Sequence, residues 1–548
     1  MEKIIINYTA EDKAFTAEGM KSAHFNIEVE KSDGRTTMIL NAEKPVRIQK
    51  FQIVLPYKYE SNQRVFVNGY QSWTDSREYF LDEEMTELSK FTEFYVKTPF
   101  VKKIGIGKSG DYFICDYPRR KGLFYGFSYG YVRTGSRVDI FGSLSERSGF
   151  TIVRFDVRTA QVIIEKDLAG VEFSGRTVVA DYALISGEYD EAFDKYLEMM
   201  DIKCLQKEQK CGYTTWYNYY GGITQDIVIR DLESLSKLDE KVDIFQIDDG
   251  YQKAIGDWIE TKQDKFPGGM KKLADEIHKR DMLAGLWLAP LAATKNSSIY
   301  KKHKDWLVRD EKGRLYVAGP NWGPFYAIDI YNKEAAEYIR HFFNVILNEW
   351  GFDMVKLDFL YAACVVPIHN KTRGQIMCDA MDFIRECVGD KMILGCGVPL
   401  MPAFGKVDFC RIGADVDLSW ERKKNRIRED VSTPNTVNCT IFRRHLDGRA
   451  FLNDPDVFLL RDNNINIPFE KRKLLAKING LFGKLLFVSD NVDDYSKEQM
   501  TVFLNTIKKK DVKIIKAEFT ERHIISVEYI ENGENKAFKF NSETGESY

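Results

Sequence analysis

Short apolar runs alternate with polar residues throughout the first 190 positions. Segments rich in β-branched and aromatic residues recur at 4–8, 25–29, 38–41, 46–55, 65–67, 112–115, 123–129, 138–141, 152–157, 162–164 and 178–184, with Gly, Asn, Asp and Ser between them. Many short strands at this spacing predict a large antiparallel β-sandwich over residues 1–190. A helical bridge then occupies 189–200, with Ala192, Tyr196 and Met199 on one side, and the linker 191–210 ends in a polar stretch.

From Cys211 the pattern changes to strand, loop and helix in repetition. Eight strands are predicted at 212–218, 242–247, 283–288, 353–358, 391–396, 408–412, 450–453 and 485–489. Helical periodicity is clearest over 333–350, where Ala335, Ile339, Phe342, Ile346 and Trp350 form one stripe. Further helices are expected at 226–238, 269–280, 372–387, 433–445, 468–481 and 496–509, whereas 400–407 is too short for a full one. Eight β–α units predict a (β/α)8 barrel over 211–510. Alternation returns in 511–548, which predicts a small antiparallel β-domain. The fold class is therefore multidomain α/β: a central TIM barrel between an N-terminal β-sandwich and a C-terminal β-domain. A doubly wound sheet fits less well, because the turn after the first strand lacks GxGxxG spacing.

Active sites of such barrels form where strands end and βα loops begin, and polar residues collect there. Residues 353–360 read Asp-Met-Val-Lys-Leu-Asp-Phe-Leu. Strand side chains alternate faces, so Lys356 and Asp358 point the same way. A charged pair at the end of a core strand is costly unless it is used. Arg411 and Asp415 follow the sixth strand, Asp248 and Asp249 the second, and Trp287 lies on the third. Taken singly, each has a structural alternative: a buried ion pair, an Asp-Asp-Gly turn or helix cap, a core tryptophan, a loop salt bridge. Taken together, those alternatives leave a barrel mouth full of unexplained charge.

Two carboxylates at such a mouth suit glycoside cleavage, standing about 5–5.5 Å apart for retention or about 6.5–9.5 Å when water must fit between them. Asp358, with the Lys356 cation on its own strand face, is the candidate nucleophile. Asp415, on a loop open to solvent, is the candidate general acid/base. Asp248 and Asp249 become acceptors for sugar hydroxyls, and Trp287 a wall for the apolar sugar face.

Composition narrows the alternatives. Hydrophobic residues at 44% and charged residues at 29% describe an ordinary protein with ample core, and aromatics at 13% are mildly in favour of sugar stacking. A net charge of −3 gives no reason to expect nucleic acid or an anionic membrane as a partner. The N-terminus lacks a signal peptide's apolar region, no run approaches the ~20 apolar residues of a membrane span, and nine scattered cysteines without CxxC spacing suggest neither disulfides nor zinc. The expected compartment is the cytoplasm. His24, His278, His303, His341, His369, His445 and His523 never occur at ligand-pair spacing, which argues against a catalytic metal, and no cofactor is expected.

The motifs Phe-Gln-Ile-Asp-Asp-Gly-Tyr-Gln (245–252), Gly-Asp-Trp (256–258), Lys-Phe-Pro-Gly-Gly-Met (265–270), Gly-Leu-Trp-Leu-Ala-Pro (285–290), Val-Lys-Leu-Asp-Phe (355–359) and Arg-Ile-Gly-Ala-Asp (411–415) resemble those of α-galactosidases of glycoside hydrolase family thirty-six, in clan D. The resemblance runs in order through the barrel from about 211 to 490. It implies a retaining double displacement with Asp358 as nucleophile and Asp415 as acid/base. It also implies that Asp248 and Asp249 hold the 4- and 6-hydroxyls, Lys356 the 3- and 4-hydroxyl side, and Cys396 and Arg411 the 2-hydroxyl side. Trp287 and Trp216 would line the pocket. Trp73, in Asn-Gly-Tyr-Gln-Ser-Trp (68–73), would close it from the front domain. Gly397-Val398-Pro399 departs from the Gly-Ser-Pro often found in that family. The implied function is exo-cleavage of terminal α-galactose from an oligosaccharide, with no metal or cofactor and with a homo-oligomer left open. An α-N-acetylgalactosaminidase and an α-galactosyl transglycosylase remain as variants on the same scaffold. A non-catalytic sugar-binding protein is a more distant alternative, since a binder needs neither carboxylate.

Overall fold

The computed structural model describes residues 2–85, 98, 105–115, 120–421 and 427–548. Its N-terminal part is an antiparallel β-domain in which the twelve strands among the described residues, from Lys3–Ala10 to Glu172–Glu188, belong to one hydrogen-bonded sheet. The 22-residue strand Arg35–Pro56 is the axis of that sheet. Its first half pairs with Glu172–Glu188 and Asn26–Ser32, its second half with Lys3–Ala10 and Gln161–Lys166. The sheet folds back on itself: the Phe127 amide donates to the Asn68 carbonyl at 2.6 Å, joining one end of the strand path to the other.

Local departures from expectation have physical causes. The predicted strands 38–41 and 46–55 are one strand, because a register shift against Glu172–Glu188 absorbs Pro45. The run 123–129 divides at Ser128, whose φ of 67° turns the chain between Leu123–Phe127 and Tyr129–Thr134. Residues 112–115 form a turn on Asp111 instead of a strand, with the Tyr112 hydroxyl bonded to Glu429 of the barrel at 2.7 Å. Strands Lys13–Glu18 and Arg77–Phe80 were not anticipated. Helix Tyr189–Glu198 then buries Ala192, Phe193, Tyr196 and Leu197.

All eight barrel strands are present: Lys210–Thr214, Ile244–Ile247, Leu283–Leu288, Met354–Leu357, Met392–Gly395, Phe409–Arg411, Leu452–Asp454 and Leu485–Val488. The first seven pair in parallel with their sequence neighbours, and the eighth pairs with the first. The Lys484 amide meets the Asn453 carbonyl at 2.9 Å where the seventh and eighth strands adjoin. Buried on both faces, most of these strands are largely apolar runs. Helices Gln225–Ser236, Lys333–Asn344, Arg373–Val388, Thr433–Phe442 and Lys497–Ile507 start at Thr224, Asn332, Thr372, Ser432 and Ser496, whose side chains accept backbone N–H bonds. The long stripe 333–350 is α-helical to Asn344 and finishes in a π-turn, Val345–Glu349. Only the one-turn helix Leu400–Ala403 joins the fifth and sixth strands.

Two features shape the barrel mouth beyond the predicted pattern. The first strand stops at Thr214, and a helical turn over Trp216–Tyr219 replaces its expected end. The connection between the third and fourth strands carries its own antiparallel sheet, Ala292–Thr294, Val317–Gly319 and Phe325–Ala327. At the C-terminus, Val512–Glu521, Ile524–Glu531 and Glu534–Asn541 form the small antiparallel sheet. None of the described helices is long and apolar enough to cross a membrane.

The N-terminal domain reaches the mouth through the loop 68–73. Arg443, fully buried, donates to Asn68 Oδ1 at 2.9 Å, to the Ser72 carbonyl at 2.7 Å and to the Ile412 carbonyl of the barrel at 2.8 Å. Ser72 also donates its amide to the Val398 carbonyl at 2.9 Å.

Candidate active site

The fourth strand sets the centre of the site. Alternation sends Lys356 and Asp358 into the mouth, and the Asp358 amide is fixed by the Leu288 carbonyl at 2.8 Å. Asp358 Oδ2 accepts from Trp287 Nε1 at 3.1 Å and Oδ1 from the Phe359 amide at 2.9 Å. Burial raises the Asp358 pKa above the usual carboxylate value; Lys356, Trp287 and Cys396 act against this, and the Asp415 charge adds to it. Phe359, next in the chain, holds the left-handed conformation at φ 54°. Its ring stands between Trp73, at 5.1 Å between centroids, and Trp322, at 4.7 Å. A strained residue beside a candidate nucleophile is a mark of a functional site.

Lys356 has a different direct partner from the one its strand face suggested. Its ammonium bonds Asp248 Oδ2 at 2.9 Å, inside a pair that is almost fully buried. Burial works against the ammonium, but the acidic groups around it, Asp248 foremost with Cys396 and Asp358, together hold the lysine above its ordinary value. Asp248 Oδ2 also accepts from Gln246 Nε2 at 2.8 Å. Asp249 is fixed by Gln252 Nε2 at 2.5 Å and Trp322 Nε1 at 2.9 Å, and burial raises its pKa.

On the sixth strand, Arg411 is the hub of a carboxylate cluster. Its guanidinium meets Asp415 Oδ1 at 2.7 Å, Asp454 Oδ2 at 3.2 Å and Asp456 Oδ1 at 2.7 Å. Asp454 and Asp456 lie at the end of the seventh strand. Asp456 also accepts from the Val416 amide at 2.7 Å and from the Tyr217 hydroxyl. Burial pushes Asp456 up to about 7. Asp415 is the solvent-facing member, with its side chain 31% exposed.

A cavity of about 570 Å³ joins these groups. Eight predicted residues line it: Asp358, Asp415, Asp248, Asp249, Lys356, Trp287, Trp216 and Trp73. Cys396 and Arg411 are not lining residues and stand behind the wall. Cys396 Sγ accepts from Trp73 Nε1 at 3.3 Å, and Arg411 acts on the cavity through Asp415.

Sequence reasoning missed Trp322 and Glu429, which also line the cavity. Trp322 is a tryptophan set among turn residues in Gly-Pro-Asn-Trp-Gly-Pro (319–324), and that contrast was a usable signal. Glu429 had none: it sits in a polar loop and is buried only by docking, with bonds from Thr74 Oγ1 at 2.8 Å and the Tyr112 hydroxyl at 2.7 Å. Burial pushes it up to about 7. Among the described residues, no group of three His, Cys, Asp or Glu side chains is arranged to hold a metal ion.

Residues 195–375 match the family model described as Melibiase. Over 157 residues the chain is 32% identical to an A type blood alpha-D-galactosamine galactosaminidase of Flavonifractor plautii, covering 27% of this chain and 14% of that protein. Over 160 residues it is 28% identical to an alpha-galactosidase of Escherichia coli, covering 28% and 22%. The chain thus spans less than a quarter of the length of these two curated relatives. In three dimensions it is similar to an alpha-galactosidase of Thermus thermophilus, with a TM-score of 0.71 and 24% identity over 93% of this chain and 98% of that one. The barrel segment 195–375 is thus similar to the melibiase family.

Proposed function

We propose that this chain is a retaining exo-α-galactosidase that removes terminal α-D-galactosyl residues from oligosaccharides. The observation that carries the reading is that Asp358 and Asp415, from different strand ends, line one cavity whose remaining polar lining includes Asp248, Asp249 and Lys356. Asp358 attacks the anomeric carbon while Asp415 protonates the departing oxygen. Asp415 then takes a proton from water, which attacks the same carbon and frees Asp358. Asp248, Asp249 and Lys356 bind the 3-, 4- and 6-hydroxyls, while Trp287, Trp216 and Trp73 wall the ring. Arg411 acts by positioning Asp415. Solved relatives support this assignment: the Thermus enzyme is described in complex with p-nitrophenyl alpha-D-galactopyranoside and with stachyose.

The Flavonifractor relative raises N-acetylgalactosamine as a second sugar. An acetamido group at the 2-position needs room near Cys396, where Trp73 Nε1 closes on the thiol at 3.3 Å, and this favours galactose. A panel of p-nitrophenyl α-glycosides of galactose, N-acetylgalactosamine and glucose separates the readings. For the mechanism, Asp358→Ala is expected to abolish turnover of the galactoside, and added azide to restore it as β-galactosyl azide. Near-normal activity without azide removes Asp358 from the nucleophile's role.

A further inference from the structure

A second recess of about 510 Å³ adjoins the first, and Tyr217 and Tyr220 line both. Its other walls are Asn218, Leu418, Asn464, Ile465 and Asn466. The chemistry of that wall is specific. Three asparagines, two tyrosines and two aliphatic residues line the space, and none of these described residues carries a charge. Among the described residues a charged ligand finds no counter-ion there, and an apolar one leaves the carboxamides without partners. A neutral polyol satisfies both, with hydroxyls for the amides and a C–H face for the ring.

The recess is also built to hold its shape. Arg461, only 2% exposed, donates to the Tyr217 carbonyl at 2.8 Å and to the Asn463 carbonyl at 3.0 Å, and pairs with Asp490 at 2.6 Å. The Asn466 amide is tied to the Leu418 carbonyl at 2.7 Å. Loops after the first, sixth and seventh strands are thereby stitched to the end of the eighth, so little ordering remains to be done on binding. Tyr220 keeps an unusual backbone, φ 47° and ψ −141°, with its ring edge-on to Trp216 at 5.1 Å and 43% exposed.

Position identifies the occupant. The proton donor of a glycosidase lies beside the leaving oxygen, so the departing sugar lies on the Asp415 side. Leu418 is three residues further along the Asp415 loop. We propose that this recess is the leaving-group site for neutral galacto-oligosaccharides of three or more units, which stack on Tyr220 and bond Asn218, Asn464 and Asn466. The inference rests on the galactosidase reading of the first cavity.

The test compares kcat/KM for p-nitrophenyl α-galactoside, melibiose, raffinose and stachyose in the wild type, in Asn466→Ala and in Asn464→Gly. Glycine is chosen at 464 because Asn464 has φ 51°. Each variant is expected to lose about 10-fold on raffinose and stachyose, the effect of a lost carboxamide contact, while p-nitrophenyl galactoside changes less than about twofold and reports an intact fold. Equal losses on all substrates, or none on the long ones, overturn the recess alone. A wild type inactive on every α-galactoside overturns the galactosidase reading and this inference with it.

Discussion

Replacing Lys356 by Met removes a buried cation and keeps the length of the side chain. The lysine stands two residues from Asp358 on one strand face, about 6.5 Å away at the usual rise. At an effective dielectric of about 20, a unit charge at that distance stabilises the Asp358 carboxylate by about 2.5 kcal/mol. The nucleophile must be ionised, and Lys356 favours ionisation, so its loss raises the pH needed for activity. The acid limb of kcat/KM for p-nitrophenyl α-galactoside is expected to move upward, by up to about 2 pH units and by less where Asp248 already screens the ammonium. Stability falls too, because Asp248 loses its closest cation. An uncompensated buried charge costs about 3–5 kcal/mol, reduced here by the Gln246 bond at 2.8 Å. The double variant Lys356→Met/Asp248→Asn balances charge and is expected to recover much of the urea midpoint while keeping the displaced limb. A folded Lys356→Met enzyme with an unmoved or downward-shifted acid limb refutes the electrostatic coupling.

Other perturbations reach other parts of the site. Asp415→Ala should slow substrates with poor leaving groups most and flatten the basic limb of the pH profile; an unchanged profile counts against its acid/base role. Gly397 has φ +55°, and a Cβ there meets the Trp73 ring at 2.8 Å and the Phe359 amide nitrogen at 2.9 Å. Gly397→Ala is therefore expected to cost about 1–3 kcal/mol and to raise KM by displacing Trp73, measured by thermal unfolding and steady-state kinetics. Glu429 is raised from 4.5 to about 7, so the folded state holds its proton more tightly and stability declines as pH rises through that window. Glu429→Gln lacks that decline and should gain up to about 3 kcal/mol on the wild type between pH 4.5 and 8; parallel urea-stability curves for the two proteins would contradict this.

The barrel was legible because buried parallel strands are apolar runs bounded by turns, and because polar residues at their C-terminal ends have few purposes other than a site. The strand period also gave the face of Lys356 and Asp358. It says nothing about the neighbour across the barrel, so the bond from Lys356 to Asp248 was invisible, as were the ties of Asp454 and Asp456 to Arg411. The sheet that carries Trp322 escaped notice because strands of three residues are too short to show a period. Residues 112–115 are β-like in composition, yet they turn on the Asp111 carbonyl with Tyr112 bonded to Glu429 of the barrel, a tertiary contact that the local pattern does not show. Glu429 itself lies in a hydrophilic stretch whose burial depends wholly on what docks over it.

The latch made by Arg443 bears on the order in which the molecule assembles. Its bonds to Asn68 and Ser72 join residues 375 and 371 positions apart in the chain. Contacts of such separation form late, after the local βα units have condensed. The cavity wall around Trp73 is therefore expected to be a finishing step of folding, and a barrel released without its front partner would keep the Arg443 bond to Ile412 but lose those to Asn68 and Ser72.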